Sequence, residues 1–285
     1  MDRDNLNAVY QAQMSDVDFN TLSSFIYTNY GIKMPKEKKI MLQSRLQKRL
    51  KALEMTTYKQ YIEYVFSKKG QFEEIINMID VVSTNKTDFY REPSHFDHIR
   101  ENVLPEMINP HSSYKKIKIW SAGCSTGEEV YTLAIEMQHA KRYYLNLDYD
   151  ILGTDISSRV LSQASDAVYK EDRIDMIPLE MKRLYFLRNK DRNTKLIKVA
   201  PLLRKHVRFM RLNFIDSSYN LNENFDIIFC RNVLIYFDRE TQEKVINKLC
   251  RHLNPGGYFF LGHSESITNI NVPLKQIKPT FFQRI

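Results

Sequence analysis

A chain of 285 residues, 43% hydrophobic and 27% charged, is long enough to bury one large core or two modest ones. Its net charge of +8 points to an acidic partner, either nucleic acid or an acidic protein surface. No apolar run approaches the roughly 20 residues of a membrane span and the N-terminus has no signal-peptide core. Three cysteines (Cys124, Cys230, Cys250) lack paired metal spacing, and an odd, unpaired set suits a reducing cytoplasm.

In chain order, residues 1–16 are polar and read as a flexible N-terminus. From Asp18 to Tyr30, Phe19, Leu22, Phe25 and Ile26 recur at helical spacing, and Gly31 offers a stop. A second helix is expected from Lys36 to Leu53, with Leu42, Leu46, Leu50 and Leu53 as its apolar stripe. Lys38, Arg45, Lys48 and Arg49 crowd its other faces, which fits either a solvated surface or an acidic partner helix. Tyr58–Phe66 and Gln71–Ile79 read as two further helices split near Gly70, so 17–82 forms an all-helical N-terminal domain.

Residues 83–112 then form a linker. Its run from Ser83 to Phe96 packs polar side chains around two aromatics and fits neither helix nor strand, a pattern common in functional loops. Asn85, Thr87 and Asp88 are equally open to a reading as helix caps. His95 and His98 share a helix face without an evident carboxylate or cysteine partner, and are read as structural, with no metal expected.

The organising stretch is Ile117 to Asp155, at the start of a catalytic domain spanning 113–285. An apolar run to Trp120 leads into the small-residue turn Ser121-Ala-Gly-Cys-Ser-Thr-Gly127, then Glu128 and Glu129, then Val130, Leu133, Ala134 and Met137 at helical spacing. A second apolar run, Tyr149 to Gly153, delivers Thr154 and Asp155. This is a βαβ unit of the nucleoside-binding kind, in which small residues admit a ligand to the helix start and the acid accepts ribose hydroxyls. An ordinary α/β unit with two acids capping a helix is the plainer alternative. The three-glycine dinucleotide spacing is missing, and two acids would repel a pyrophosphate, which disfavours a nicotinamide dehydrogenase. A nucleoside with a cationic amino-acid tail, such as S-adenosylmethionine, fits better.

Val160–Ala167 reads as a helix. Residues 169–205 interrupt the α/β rhythm as a small inserted β-subdomain, with a hairpin of Leu184–Arg188 and Lys195–Val199 about the polar turn Asn189–Thr194. Val207–Leu212 resumes the main sheet, Asn213–Asn224 is a loop, and Phe225–Cys230 is a buried strand. Arg231 to Asp238 follows at its carboxyl end, where open α/β sheets hold ligands. Thr241–Leu253 is an amphipathic helix stopped by Asn254-Pro-Gly-Gly257. Tyr258–Leu261 and Thr280–Arg284 supply late strands, the second antiparallel.

Four blocks are specific. Thr84-Asn-Lys-Thr-Asp-Phe-Tyr-Arg-Glu92, Trp120-Ser-Ala-Gly-Cys-Ser-Thr-Gly-Glu-Glu129, Gly153-Thr-Asp-Ile156 and Phe229-Cys-Arg-Asn-Val-Leu-Ile-Tyr-Phe237 resemble the signatures of the chemotaxis-receptor glutamate methyltransferases, the CheR family. Leu203-Arg204 and Gly262-His-Ser-Glu-Ser266 fit as well, so the resemblance spans roughly residues 17 to 285. It implies a class I, Rossmann-like S-adenosylmethionine-dependent methyltransferase sheet with an all-α N-terminal domain and an inserted antiparallel β-subdomain. It further implies that Asn85, Thr87 and Arg91 reach the cofactor from the linker, and that Gly123 belongs to the cofactor-binding turn. Glu128 would meet the methionine portion, Asp155 the ribose, and Asn213 and Phe214 the adenine. Arg231 and Asn232 would close the pocket and Tyr236 would stand near the methyl group.

The implied reaction is esterification of glutamate side chains on the cytoplasmic helices of a chemotaxis receptor, releasing S-adenosylhomocysteine. Such a carboxylate is ionised at neutral pH and attacks a sulfonium methyl without a general base, so positioning and desolvation carry the catalysis. Arg91 or Tyr236 would hold the carboxylate in line, and Arg91 has the alternative of gripping the cofactor's own carboxylate. Lys38, Arg45 and Arg49 would lie along the acidic substrate helix. The hairpin turn has no glycine, unlike members tethered to a receptor tail, so direct recognition by a cytoplasmic monomer is expected, with no nucleic acid and no membrane insertion. Two other readings are a nucleic-acid methyltransferase of the same fold and a non-catalytic adaptor that senses the cofactor. The first usually carries Asn or Asp-Pro-Pro-aromatic where Arg231-Asn-Val-Leu stands here.

Overall fold

Alternation along the central strands separates two apolar layers. Ile117 and Ile119, Ile227 and Phe229, and Tyr258 and Phe260 enter one buried cluster, while Trp120 and Ala122, Ile228 and Cys230, and Phe259 and Leu261 enter the other. Period-two burial on both faces defines a sheet covered on each side. The computed structural model describes residues 9–108 and 115–285.

The main sheet has seven strands in the order β6-β2-β1-β7-β8-β10-β9. These are β1 (Lys115–Ala122), β2 (Leu147–Asp155), β6 (Val207–Arg211), β7 (Phe225–Cys230), β8 (Leu253–Leu261), β9 (Leu274–Lys278) and β10 (Phe281–Arg284). The first five in sheet order pair in parallel, and β10 returns antiparallel to both β8 and β9. The expected antiparallel last strand is therefore present, together with a β9 that the sequence analysis does not anticipate. Asn254 to Gly257 proves to lie within β8: the register runs from Phe225↔Leu253 to Ile227↔Tyr258, so these residues swell out of the ladder as an irregularity.

The amino-terminal helices are α1 (Asp16–Tyr30), α2 (Lys39–Ala52), α3 (Tyr58–Phe66), α4 (Lys68–Glu73) and α5 (Ile75–Val82). Ser15 and Asp18 form a capping box at the start of α1, and Gly31, at φ 68°, ends it. Leu42, Leu46 and Leu50 bury the stripe of α2 as expected. The break between the last two helices falls at Glu74, since Gly70 lies inside α4. A Cβ there would sit 1.9 Å from the Tyr64 carbonyl oxygen, so the glycine serves the close approach of α4 to α3. The flexible N-terminus expected over residues 1–16 falls partly outside the described residues. Within them, Val9 and Met14 are buried in the helical core, which ties that end of the segment down.

A short helix α6 (Ser94–His98) precedes the sheet, and α7 (Leu104–Met107) follows after a π turn. Behind β1 comes α8 (Glu128–Ala140), and behind β2 comes α9 (Ser158–Asp166). The insert is a three-stranded antiparallel sheet, β3 (Val168–Lys170), β5 (Leu196–Val199) and β4 (Phe186–Arg188), with β5 central and α10 (Leu179–Tyr185) leading into β4. Leu184 and Tyr185, expected in the hairpin, close that helix. After α11 (Pro201–Arg204), the last helix, α12 (Arg239–Arg251), is capped by the Asp238 side chain on the Thr241 N–H, 2.9 Å away. No helix among the described residues is long and apolar enough to cross a membrane.

Candidate active site

Sheet order fixes where a ligand can sit. The chain adds β2 and β6 on one side of β1, then crosses to place β7 on the other, so the order reverses beside β1 and opens a crevice at the carboxyl ends. A cavity of about 270 Å3 occupies it. Its lining comes from the residues that follow four parallel strands: Gly123 and Ser125, Asp155 and Ile156, Asn213 and Phe214, and Arg231 to Val233. The helical domain covers the opening with Tyr30, Ile32, Met34, Lys38, Met41 and Val82.

The turn after β1 follows from its glycines. Gly123 stands at φ 89°, and a Cβ on it would meet Val233 Cγ2 at 2.3 Å. Its N–H and that of Cys124 donate to the Thr154 carbonyl at 2.7 and 2.9 Å, fastening the turn to the end of β2. Asp155 then accepts from the Ser125 N–H at 2.9 Å and the Ser157 N–H at 3.0 Å. Burial raises its pKa and these backbone donors oppose the rise.

The two acids opening α8 divide the work, and here the expectation for Glu128 is corrected. Glu128 is buried away from the cavity, its carboxylate paired with Arg173 of the insert at 2.7 Å and accepting from the Thr126 hydroxyl at 2.6 Å. Arg173 also donates to Asp88 and the Thr87 carbonyl, so it clamps the insert and linker together. Glu129 is the acid that lines the cavity. It accepts from the Ser121 hydroxyl at 2.7 Å, and the Arg231 guanidinium lies 3.4 Å away. Burial raises the Glu129 pKa, with Arg231 the largest opposing influence. Sequence spacing alone could not choose between adjacent acids one helical step apart, because the choice depends on where the insert folds back.

The linker is aimed by its two aromatics. Phe89 packs edge-on to Tyr169 and Phe186, and the Tyr90 N–H donates to the Thr132 hydroxyl. On either side of these anchors the chain presents Asn85, Thr87 and Arg91 to the cavity. None of the proposed caps forms: Asn85 donates to the Ser83 hydroxyl, while Asp88 pairs with Arg173. Arg91 donates to the Lys86 carbonyl at 2.9 Å.

Across the cavity, Glu265 shapes the loop after β7, accepting from the N–H groups of Asn232, Val233, Leu234 and Gly262 at 2.7–2.8 Å. Asn232 is held at φ 58° in consequence. Arg231 is buried, donating to the Arg91 carbonyl and lying 3.2 Å from Glu92. Its Nε and Nη1 have no hydrogen-bond partner among the described residues, leaving buried donors at the cavity wall. Tyr236 lies on the next turn, with the Lys38 ammonium 5.8 Å over its ring. Asn213 donates to the Asn29 carbonyl and accepts from the Ile215 N–H, so its loop-forming role and its place at the cavity coexist. Phe214 and Phe237 meet edge to face beside it.

Of the residues expected at the site, Asn85, Thr87, Arg91, Gly123, Asp155, Asn213, Phe214, Arg231, Asn232, Tyr236 and Lys38 line this single cavity. Arg45 and Arg49, expected on the substrate helix, are used internally. Arg45 donates to the Val82 and Ser83 carbonyls and the Thr84 hydroxyl, pinning the linker. Arg49 makes two 2.7 Å hydrogen bonds to buried Glu74, which also accepts from the Tyr61 hydroxyl. Sequence reading missed Glu129, Ser125, Arg173 and Glu265; only Glu129 carried a local signal, as the second acid of the turn.

The fold and site define a class: a doubly wound α/β domain with a nucleoside-type crevice, two buried carboxylates on its floor and cationic groups at its walls. The donor set fits a nucleoside with a cationic tail, since Asp155 retains acceptor capacity for a diol and Glu129 for an ammonium. Residues 85–282 match the family described as CheR methyltransferase, SAM binding domain, and residues 17–79 match the CheR methyltransferase, all-alpha domain. The chain belongs to the CheR methyltransferase family, and S-adenosylmethionine is the cofactor of its α/β domain. It is 36% identical over 270 residues to a chemotaxis protein methyltransferase of Borreliella burgdorferi, covering 94% of each chain. It is 30% identical to chemotaxis protein methyltransferase 2 of Pseudomonas aeruginosa over 93% of this chain and 92% of that one. The corresponding figures for the chemotaxis protein methyltransferase of Salmonella typhimurium are 31%, 93% and 89%.

Proposed function

We propose that this methyltransferase esterifies glutamate side chains on the cytoplasmic helices of a chemotaxis receptor. The observation that carries the reading is the polarity of one cavity. Buried acids line its floor, whereas Lys38 and Tyr236 stand together at the edge formed by the helical domain. When bound, S-adenosylmethionine supplies an electrophilic methyl group on a sulfonium centre.

The chain's own residues do the rest by binding and orientation. Asp155 takes the ribose hydroxyls and Glu129, in the role first given to Glu128, the cationic amino group. Asn213 and Phe214 would hold the adenine, and Asn85 and Thr87 would close over it from the linker. Arg231, whose Nε and Nη1 make no hydrogen bond, would hold the cofactor's carboxylate together with Arg91. At the edge, Lys38 draws in a substrate carboxylate and the Tyr236 hydroxyl orients it. That carboxylate is already ionised, so no side chain needs to remove a proton. The bound cofactor would supply its methyl group to an oxygen of that carboxylate and leave as S-adenosylhomocysteine, so the residues here need only align the carboxylate. Opposite charges vanish together, so exclusion of water by Ile32, Met34 and Met41 lowers the barrier. The receptor is engaged directly by the helical domain, without a tail tether, and one chain suffices.

Family membership and the absence of Pro-Pro after Arg231-Asn232 weigh against the nucleic-acid methyltransferase and adaptor readings. Methyl-labelled cofactor incubated with receptor cytoplasmic fragments and, separately, with RNA tests the proposal. Label should enter the receptor and leave as methanol under base. Label in RNA alone, or base-stable label, would retire it.

A further inference from the structure

The wall behind Arg231 contains a cluster that does not line the cavity. Glu92 stands in the linker just before α6, His95 follows one helical turn later on α6, and His263 lies just beyond β8. One donor atom from each lies within 4.8 Å of the other two. Glu92 Oε2 is 3.6 Å from His95 Nδ1, and the two imidazole rings are 5.1 Å apart at 83°.

His95 is 0% exposed, and its hydrogen bonding fixes which nitrogen is bare. The Thr280 hydroxyl donates to the Pro279 carbonyl at 2.6 Å, so its oxygen accepts from His95 Nε2–H at 2.9 Å. The proton is therefore on Nε2, and Nδ1 presents a lone pair that has no hydrogen-bond partner among the described residues. It is aimed at Glu92, another acceptor. Two acceptors facing each other, the imidazole fully buried and the carboxylate mostly so, are repulsive unless a positive centre lies between them, and Arg231 and the His263 N–H approach Glu92 Oε2 from its other sides.

We propose that Glu92, His95 and His263 bind a single late first-row divalent cation, for which Zn2+ is the best match. Two imidazole nitrogens and one carboxylate, with water in the fourth position, are the ligand types that ion prefers. Metal–ligand bonds of about 2.0–2.1 Å in a tetrahedron separate the donors by roughly 3.4 Å. The Glu92–His95 pair is already near that spacing. His263 is exposed, so it needs only a side-chain rotation to close the site and leaves the ion a way in. The Thr280 contact supplies the orienting hydrogen bond that metal-bound imidazoles require. Arg231 shares Glu92 Oε2 at 3.2 Å, which moderates the affinity by like-charge repulsion. The effect of the ion would be to fasten the linker to the loop after β8.

The test uses the 285-residue chain, stripped with chelator and titrated with Co2+ and then Zn2+. One equivalent of Co2+ should give the visible bands of a four-coordinate nitrogen–oxygen site, and Zn2+ should displace it. His263→Ala, a surface change that leaves the core intact, should weaken Co2+ binding at least 10-fold and abolish the Zn2+-dependent rise in Tm; Glu92→Gln should act in the same direction. A wild-type chain without those bands, or a His263→Ala chain that titrates like wild type, would overturn the assignment.

Discussion

Asp155 and Glu129 are single carboxylates whose environment was set by tertiary packing. Asp155→Ala removes a charged acceptor, and such hydrogen bonds contribute about 1.5–3 kcal/mol. S-adenosylhomocysteine binding should weaken by about 10- to 100-fold in calorimetry. Burial holds both acids above their ordinary values, near 4 for an unfolded carboxyl. The sign follows from linkage: a raised folded pKa means that the native chain takes up these protons before the unfolded chain does. Acidification through that range therefore relieves their burial and does not itself unfold the protein. What is lost is the negative charge lining the cavity, to which the proposed function assigns cofactor binding. Affinity for S-adenosylhomocysteine should fall at pH values still above the ordinary carboxylate range while circular dichroism stays native; a flat affinity down to the unfolding transition would contradict this. Arg49 gives the opposite lesson. Its partner Glu74 is almost completely buried, so Arg49→Ala leaves an unpaired charge at a cost of about 3–5 kcal/mol. Urea unfolding should register that loss, and the KM for receptor, measured on folded enzyme, should not change.

At the level of elements, the turn between β1 and α8 is the least tolerant segment. Gly123 combines a positive φ with a Val233 methyl where its Cβ would lie. Gly123→Ala should cost about 1–3 kcal/mol in backbone strain and lower cofactor affinity with it, as denaturant melts and calorimetry would record. The loop after β7 has the converse design, with four backbone donors converging on the Glu265 carboxylate. The β1–α8–β2 unit was legible because its signal is local: apolar runs, small residues and an acid at fixed spacing. β9 was not. Leu274, Lys275, Gln276, Ile277 and Lys278 are mostly exposed at the sheet edge, so their sequence lacks the buried alternation that marks a strand.

Across the whole molecule, the helical domain and the sheet share one cavity, and the lysines near its edge face a substrate that is expected to be acidic. Receptor KM should rise with ionic strength, because screening weakens attraction between exposed charges over about 10 Å at 0.1 M salt. Lys38→Glu should raise KM further and flatten that salt dependence, while binding of S-adenosylhomocysteine changes little. A salt-independent KM would place recognition in apolar contacts instead.

Sequence by itself determined the βαβ core, the helical amino-terminal domain, the position of the insert and most of the cavity lining. Each of these rests on residues close together in the chain, or on blocks whose order along it is informative. Tertiary structure alone decided that Glu129 faces the cavity while Glu128 faces Arg173, and that Arg45 and Arg49 serve the fold. It also brought His263 to Glu92 and His95 across 171 and 168 positions of chain. The physical reason is the same in each case: which way a charged side chain turns depends on a partner distant in sequence, and burial decides which charges must have one.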